Sequence, residues 1–266
     1  MAPSEFSRAR STLAALRLSV LSFMADPQWL VPSMIAPVIF GLVTYELVAG
    51  SGGPAVLYAV LGGGMMSMWG QTLYGSGWAT GQDRVLGTLE PTLTSPTPYL
   101  WVVMGRVLWN TVSGLIGGAI VYVVVEATYG HPLPLVDPIA FVLLFLFVIL
   151  TLAAVGIVFA AAYVYTRYAG FIQNVGEFAF YVGTGAMFPI IFLPFWSNPI
   201  SLIFPPTWAV DAIRYVAIPG YQGLPWGAGW DVVGAVATTA VYLAIAGIVF
   251  SRVERHVLIH GSLADY

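Results

Sequence analysis

Residues 81–96 read GQDRVLGTLEPTLTSP, a polar island that lies between two long apolar runs. The island combines charged residues with glycine, serine and proline, which favour turns and short connections. The runs on either side are suited to lipid, so the island has to emerge into water. A charged, turn-rich segment in such a setting is a place where something outside the membrane can bind.

The composition of the whole chain indicates an integral membrane protein. Charged residues are 8% of the 266 residues, against about 25% in ordinary soluble domains, hydrophobic residues are 59%, and the mean hydropathy is +0.86. A soluble fold of this size could not cover its surface with so few charges. The absence of cysteine excludes disulfides and thiolate metal sites. A net charge of −3 without any arginine cluster gives no indication of a nucleic-acid partner.

Six long apolar runs, the fifth interrupted by Glu177, predict six membrane-spanning helices. Each run is near or above the roughly 20 residues that a helix needs to cross the hydrocarbon core, and continuous apolar runs favour helices over barrel strands. The predicted spans are Pro27–Tyr45, Val56–Ala79, Val107–Val125, Pro138–Thr166, Ala169–Pro194 and Val232–Phe250. The third can begin before Arg106, whose side chain would then extend to the membrane surface. The predicted fold class is all-α integral membrane.

The arginines predict the orientation. With the N-terminus in the cytoplasm, the internal segments hold Arg8, Arg10, Arg17, Arg84, Arg167, Arg252 and Arg255, the external ones hold only Arg214, and Arg106 lies at the edge. This asymmetry follows the positive-inside rule and predicts that both termini are cytoplasmic.

Three regions are therefore predicted. Residues 1–26 form an interfacial amphipathic helix, either an anchor or an elbow that also contacts a peripheral partner. Residues 27–251 span the membrane, with a cytoplasmic loop at 80–98 and an external re-entrant segment at 195–230. Residues 252–266 form a cytoplasmic tail.

Within the island, the residues predict a short helix lying on the membrane face. Gly87 allows a sharp turn, and Thr88 is suited to cap a helix that has Glu90 and Pro91 in its first turn. Ser95 and Pro96 end it. The residues presented to a partner would be Leu89, Glu90 and Leu93.

The island, together with a second segment, resembles the ABC-2 type permeases, the membrane subunits of ATP-binding-cassette exporters. The first match is Asp83-Arg84-x-x-Gly87-Thr88-Leu89-Glu90, followed by Ser95-Pro96, between the second and third spans. The second runs from Phe192-Leu-Pro194-Phe-Trp196 to Trp208-Ala-Val-Asp211-Ala-Ile-Arg214, where the family has two short helices that re-enter from outside. One departure is Pro91, where many relatives have an ordinary helix former.

The resemblance implies a mechanism and a set of coupling residues. The loop would be a coupling helix that docks on a separate ATPase subunit, which would bind ATP and Mg²⁺, and two permeases, identical or related, would pair in the plasma membrane of a prokaryote. The coupling residues would be Asp83, Arg84, Gly87, Thr88, Leu89, Glu90, Leu93, Ser95 and Pro96. The chain has no lysine and hence no P-loop, so the energy must come from a partner or an ion gradient. The cargo would be hydrophobic or amphipathic: a drug, a lipid or a lipid-linked glycan.

Two further groups of residues are candidates for the transport route. In the external segment, Trp208, Asp211 and Arg214 could form a gate, or Asp211 and Arg214 could simply pair and hold a loop at the interface. Within the spans, the polar residues are Gln71, Asn110, Gln173, Asn174, Glu177 and Tyr181. Acids in lipid usually face a cavity or a partner, while interhelical bonding is the ordinary role of the amides.

Two rival classes stay open at this stage. A gradient-driven transporter or channel would use Glu177 as its proton site, although no inverted repeat is visible. A membrane enzyme is disfavoured, because His131, His256 and His260 have no nucleophile or metal-ligand arrangement around them, and no catalytic or metal site is predicted.

Overall fold

The computed structural model of the chain describes residues 5–49, 55–95, 97–129, 135–165 and 179–260, and every regular element in them is helical. In chain order the helices are α1 (Glu5–Ala25), α2 (Pro27–Ala49), α3 (Ala55–Gly70), α4 (Ser76–Val85), α5 (Leu89–Leu93), α6 (Tyr99–Tyr129), α7 (Pro138–Tyr165), α8 (Asn198–Ser201), α9 (Pro205–Ala217) and α10 (Ala228–His260). A π-helical segment, Gln71–Gly75, joins α3 to α4. Residues 179–183 are also helical, and 3-10 turns cover Ile190–Phe192 and Phe195–Ser197.

Three helices of the described residues are long and apolar enough to cross a membrane: Tyr99–Tyr129, Pro138–Val164 and Ala228–Val253. They correspond to the predicted third, fourth and sixth spans. The first and second predicted spans lie in α2 and in α3 with α4, where the apolar stretches Ser33–Glu46 and Ala55–Gly70 are shorter. The protein is thus all-helical and multi-pass, and the count of six spans stays a prediction.

The predicted fifth span, Ala169–Pro194, is wrong at its C-terminal end. Residues 166–178 lie outside the described part, and the helix that follows ends by residue 183. Gly185 has a φ of +72°, a left-handed conformation that stops a helix and is open to glycine at little cost. Residues 184–194 consequently form turns and a 3-10 helix rather than the end of an apolar helix.

Small residues let α3 pack closely between α2 and α6. A Cβ atom at Gly63 would lie 2.8 Å from the carbonyl oxygen of Pro37 on α2 and 2.9 Å from Val121 Cγ1 on α6. The Gly114-x-x-x-Gly118 pattern on α6 has the same effect, because a Cβ at Gly114 would lie 2.6 Å from Met68 Cα. These contacts fix the position of the helix pair that leads into the polar island.

The first helix lies along the start of α6. Thr12 Oγ1 donates a hydrogen bond to the carbonyl oxygen of Trp101 at 3.1 Å, and Phe23 meets Trp109 edge-on with ring centroids 5.7 Å apart. The chain leaves the helical conformation at Asp26, and α2 begins at Pro27, where the predicted break lies. The role of α1 as an interfacial elbow stays a prediction.

Candidate functional site

The polar island begins with a sharp corner at the end of α4. Gly87 has a φ of +70°, and its N–H donates to the carbonyl oxygen of Arg84 at 3.2 Å. The N–H of Thr88 donates to the carbonyl oxygen of Asp83 at 2.8 Å. These two bonds form a Schellman motif, in which a glycine in the left-handed region ends a helix and reverses the chain. The turn predicted at Gly87 is present.

The helix after the corner, α5, has five residues and is built differently from the prediction at its start. Thr88 was expected to cap α5 with its hydroxyl, but Thr88 Oγ1 instead donates back to Asp83, with both the carbonyl oxygen and Oδ1 at 3.3 Å. Pro91 is the third residue of α5, where a missing N–H leaves no helical bond unmade. Ser95 Oγ then donates to the Thr97 carbonyl oxygen at 3.0 Å, while Pro96 lies outside the described residues.

The two leucines of α5 do not face a partner. Leu89 and Leu93 are 2% and 3% exposed, and they pack with Tyr99 on α6 and Phe250 on α10. Since residues four apart share one face of a helix, this pair forms a stripe that attaches α5 to the helical domain. The prediction that Leu89 and Leu93 are presented outward is therefore wrong.

The outward surface of the island is its corner. Val85 and Leu86 are 81% and 71% exposed, and Glu90 is also exposed one turn further on. We call these three residues with Gly87 and Thr88 the corner surface. These two adjacent exposed aliphatic side chains lie beside a carboxylate and form a small apolar patch of the kind that can contact another protein.

A buried ion pair holds the corner from beneath. Arg106 Nη1 lies 2.7 Å from Asp83 Oδ2, and the side chains are only 9% and 15% exposed. The Tyr99 hydroxyl donates to the same carboxylate oxygen at 3.2 Å. Arg106 thus points inward to Asp83, and the prediction that it extends to the membrane surface is wrong. A charge in an apolar helix is stabilised more by a buried counter-ion and hydrogen bonds than by a distant interface.

A second arginine connects the corner to α7. Arg84 Nη2 donates to the carbonyl oxygen of Val164 at 2.8 Å, near the C-terminal end of that helix. A cation at this position satisfies a terminal carbonyl group and interacts favourably with the helix dipole. The corner is therefore joined to α6 through Asp83 and to α7 through Arg84.

The segment predicted to lie outside, residues 195–230, is organised by Trp208, Asp211 and Arg214, but not through the predicted ion pair. Both Asp211 and Arg214 lie in the described part of the chain and are 2% exposed, and they form no salt bridge with each other. Arg214 Nη2 donates to the carbonyl oxygens of Gly185 and Ala186 at 2.6 and 3.2 Å, beyond the end of the helix at 179–183.

The remaining bonds lie within this segment and join α9 to the residues before and after it. Asp211 accepts hydrogen bonds from the Tyr221 hydroxyl and from the Leu224 N–H, the latter at 2.9 Å. Burial, opposed in part by Arg214, raises the pKa of Tyr221, so the phenol keeps its proton and acts as a donor. Trp208 Nε1 donates to the Leu202 carbonyl oxygen at 2.8 Å. The role of this segment as a gate stays a prediction.

Of the polar residues predicted within the spans, Gln71, Asn110 and Tyr181 lie in the described part of the chain, and all three are buried. Gln71 begins the π-helical segment and is 4% exposed, and its Oε1 accepts from Ser113 Oγ at 3.4 Å. A Cβ atom at Gly70 would lie 2.9 Å from the Tyr181 hydroxyl. The residues outside are Gln173, Asn174 and Glu177. The bonding of Gln71 to α6 is the interhelical contact expected of a buried amide.

Comparison with known proteins identifies the family of the chain. The family model of the ABC-2 type transporter matches residues 10–218, which include most of α1, the island and the chain through α9. The chain belongs to the ABC-2 type transporter family. The comparison with curated proteins finds no match. An ABC-2 permease is a transport subunit that has no ATPase domain.

Sequence reasoning about this permease missed two residues of its site. Tyr99 is not among the predicted site residues, and Arg106 is predicted only as a charge near the edge of a span. The available signal was that Asp83 and Arg106, of opposite charge, lie at the facing ends of two consecutive apolar runs. Consecutive antiparallel helices bring such ends together, so the pair could have been proposed from the sequence.

Proposed function

We propose that this ABC-2 permease forms the membrane pathway of an exporter whose energy comes from ATP hydrolysis on separate cytoplasmic subunits. The corner surface is the proposed docking point. The observation that carries this proposal is the exposure of Val85 and Leu86, at 81% and 71%, on a turn that is fixed to the domain. The absence of lysine supports a separate ATPase, because a P-loop needs that residue.

A docking point that transmits motion has to be rigid, and the corner has that property. The Schellman turn fixes the backbone, Asp83 bonds to Arg106 on α6, and Arg84 bonds to α7. Leu89 and Leu93 attach the following helix to α6 and α10. A displacement of the corner by a bound subunit would therefore move α6 and α7 with it. This differs from the arrangement expected from the sequence, in which the leucines themselves contact the partner.

The wider parts of the proposal rest on the family. The family pattern supports the pairing of two permeases, identical or related, the export of a hydrophobic or amphipathic cargo, and a location in a prokaryotic plasma membrane. The arginine asymmetry supports cytoplasmic termini. The ATPase partner would carry ATP and Mg²⁺, and lipid would surround the permease. We therefore direct the first experiment at the ATPase contact, on which the proposed mechanism depends.

The experiment is co-purification of the tagged chain from its native membrane in mild detergent, followed by identification of bound proteins. Burying the Leu86 side chain at an interface would contribute about 1.5–3 kcal/mol, so Leu86→Asp is expected to weaken ATPase binding by roughly 10- to 100-fold or more. Val136→Asp is the matched control, since Val136 is 57% exposed and precedes α7. Glu90→Arg tests the charged part of the corner surface.

The expected result is a Walker-motif ATPase, with vanadate-sensitive activity, that accompanies the wild-type and Val136→Asp chains and is lost from Leu86→Asp. Equal recovery of the ATPase with Leu86→Asp would show that the corner surface is not the contact. Purification of the chain alone, under conditions that preserve other membrane complexes, would contradict ATP coupling altogether.

A further inference from the structure

Two buried carboxyl groups meet where α9 approaches the start of α10. Asp211 on α9 is 2% exposed, and Asp231, in the first turn of α10, is fully buried. The helix faces that carry them meet, because a Cβ atom at Gly234, one turn after Asp231, would overlap the ring of Trp208, one turn before Asp211, and the two carboxyl groups interact electrostatically. Two carboxylates this close do not both stay ionised away from water, because their charges repel and neither is hydrated.

The donors around the pair leave one oxygen without a partner. Asp211 accepts from the Tyr221 hydroxyl and from the Leu224 N–H. Oδ1 of Asp231 accepts from Trp226 Nε1 at 3.1 Å, whereas Oδ2 of Asp231 is buried and no donor of the described residues reaches it. A buried carboxylate oxygen without a donor is costly. The group facing Asp231 is another carboxyl, and two carboxyls form a hydrogen bond only when one of them carries a proton.

The neighbouring charges favour the binding of one positive charge, such as a proton, by the two acids. Arg214 is buried on the same helix as Asp211 and directs its Nη2 to backbone carbonyl oxygens. With both acids ionised, these three buried groups carry a net negative charge, and one proton makes them neutral. The other titratable groups on the elements packed here are Tyr58 on α3, Tyr215 on α9, Tyr221 in the connecting segment, and Asp137, whose carboxylate caps α7.

We propose that Asp211 and Asp231 bind a single proton between them, and that this proton stabilises the contact between α9 and the first turn of α10. The ligand is a proton rather than a metal ion, because a proton needs only two facing oxygens, whereas a bound cation needs a shell of several oxygen ligands. No group of three metal-ligating side chains occurs among the described residues. Loss of the proton places two negative charges in contact. The contact between α9 and α10 is therefore stable at lower pH and becomes weaker as the pH rises.

The proton site is remote from the corner surface and does not depend on the proposed ATPase contact. Phe250, further along α10, packs with the leucines of α5 beneath the corner. Asp231 precedes Phe250 by roughly 28 Å of helix at about 1.5 Å per residue. The site therefore lies at the other end of the permease, where it would respond to the pH of the opposite compartment.

The test is infrared difference spectroscopy of the full chain in lipid nanodiscs while the pH is raised from about 6 to about 10, a range in which isolated carboxyls in water are ionised. One protonated carboxyl per chain should be present at the start and disappear as the pH rises. The signal should be absent from Asp231→Asn and kept in Asp137→Asn, a matched change at an exposed helix cap. The amide protection factors in residues 218–227, which are corrected for the intrinsic exchange rate at each pH, should fall as the pH rises in the wild type and stay constant in Asp231→Asn.

Several results would overturn the proposal. A wild-type spectrum without a pH-sensitive carboxylic acid would do so alone, even if Asp231→Asn does not fold. Persistence of the signal in a folded Asp231→Asn chain would assign it to another group. Protection factors in residues 218–227 that depend on sodium concentration but not on pH would indicate a bound cation in place of the proton.

Discussion

Replacing Arg106 with methionine should release the corner from the helical domain. Methionine keeps much of the length of the side chain but removes the charge 2.7 Å from Asp83 Oδ2. Breaking a buried pair costs about 3–5 kcal/mol, because the remaining charge is left uncompensated. Asp83 is 15% exposed and keeps the Tyr99 hydroxyl as a donor. We therefore expect a smaller loss, about 2–4 kcal/mol of local stability.

Trypsin can measure this loss directly. The chain has no lysine, so trypsin can cleave only after its nine arginines, and Arg84 lies in the corner itself. If cleavage follows local opening, 2–4 kcal/mol corresponds to an increase of roughly 30- to 700-fold in the rate of cutting after Arg84. The matched control is Arg17→Met, since Arg17 is exposed on α1. That change should leave cleavage after Arg84 unaltered.

A double-mutant cycle separates the pair from general damage. The combined Asp83→Asn and Arg106→Met chain should lose less stability than the sum of the two single changes, by about 0.5–3 kcal/mol, since neither charge is then left alone. Strict additivity, or cleavage after Arg84 at the wild-type rate in Arg106→Met, would refute the argument that this ion pair fixes the corner.

Three other substitutions test separate contacts. Gly87→Ala should lower stability by about 1–2 kcal/mol, measured by thermal unfolding, because the strain comes from the positive φ alone and no atom lies within 4 Å of the added Cβ; an unchanged unfolding temperature would contradict the left-handed turn. Gly105→Ala should displace α1, since the added Cβ overlaps a backbone oxygen of that helix, whereas Gly247→Ala on α10 meets open space; equal proteolysis of α1 in both would refute the contact. Arg84→Met should lose about 1.5–3 kcal/mol from the charged hydrogen bond to Val164, seen as faster amide exchange at the end of α7, and unchanged exchange there would show that the bond does not hold the corner.

The sequence predicts well those features that depend on local pattern. The helices α6, α7 and α10 follow from long apolar runs, and the corner follows from Gly87 at the end of one of them. The two ABC-2 segments identify a family that the match over residues 10–218 supports. Each of these inferences needs only neighbouring residues or a comparison of short motifs.

Features that depend on tertiary contacts were not predicted. An apolar pair four residues apart, such as Leu89 and Leu93, has the same pattern whether it packs inward or outward, so its burial could not be read from the sequence. Asp83 and Arg106 pair across two helices, and neither position alone indicates this. Asp231 lies at the edge of an apolar run, where an acid usually reaches water, and only its packing against Asp211 makes it unusual.

The most direct test of the central claim is site-specific cross-linking from the corner surface. The chain contains no cysteine, so Leu86→Cys and Val136→Cys each provide a single attachment point for a photoreactive probe. In native membranes, the account predicts that the probe at position 86 captures an ATPase with a Walker motif, and that the probe at position 136 does not. Capture of lipid, of a second copy of the chain or of no protein at position 86 would contradict the claim that the corner couples this permease to ATP hydrolysis.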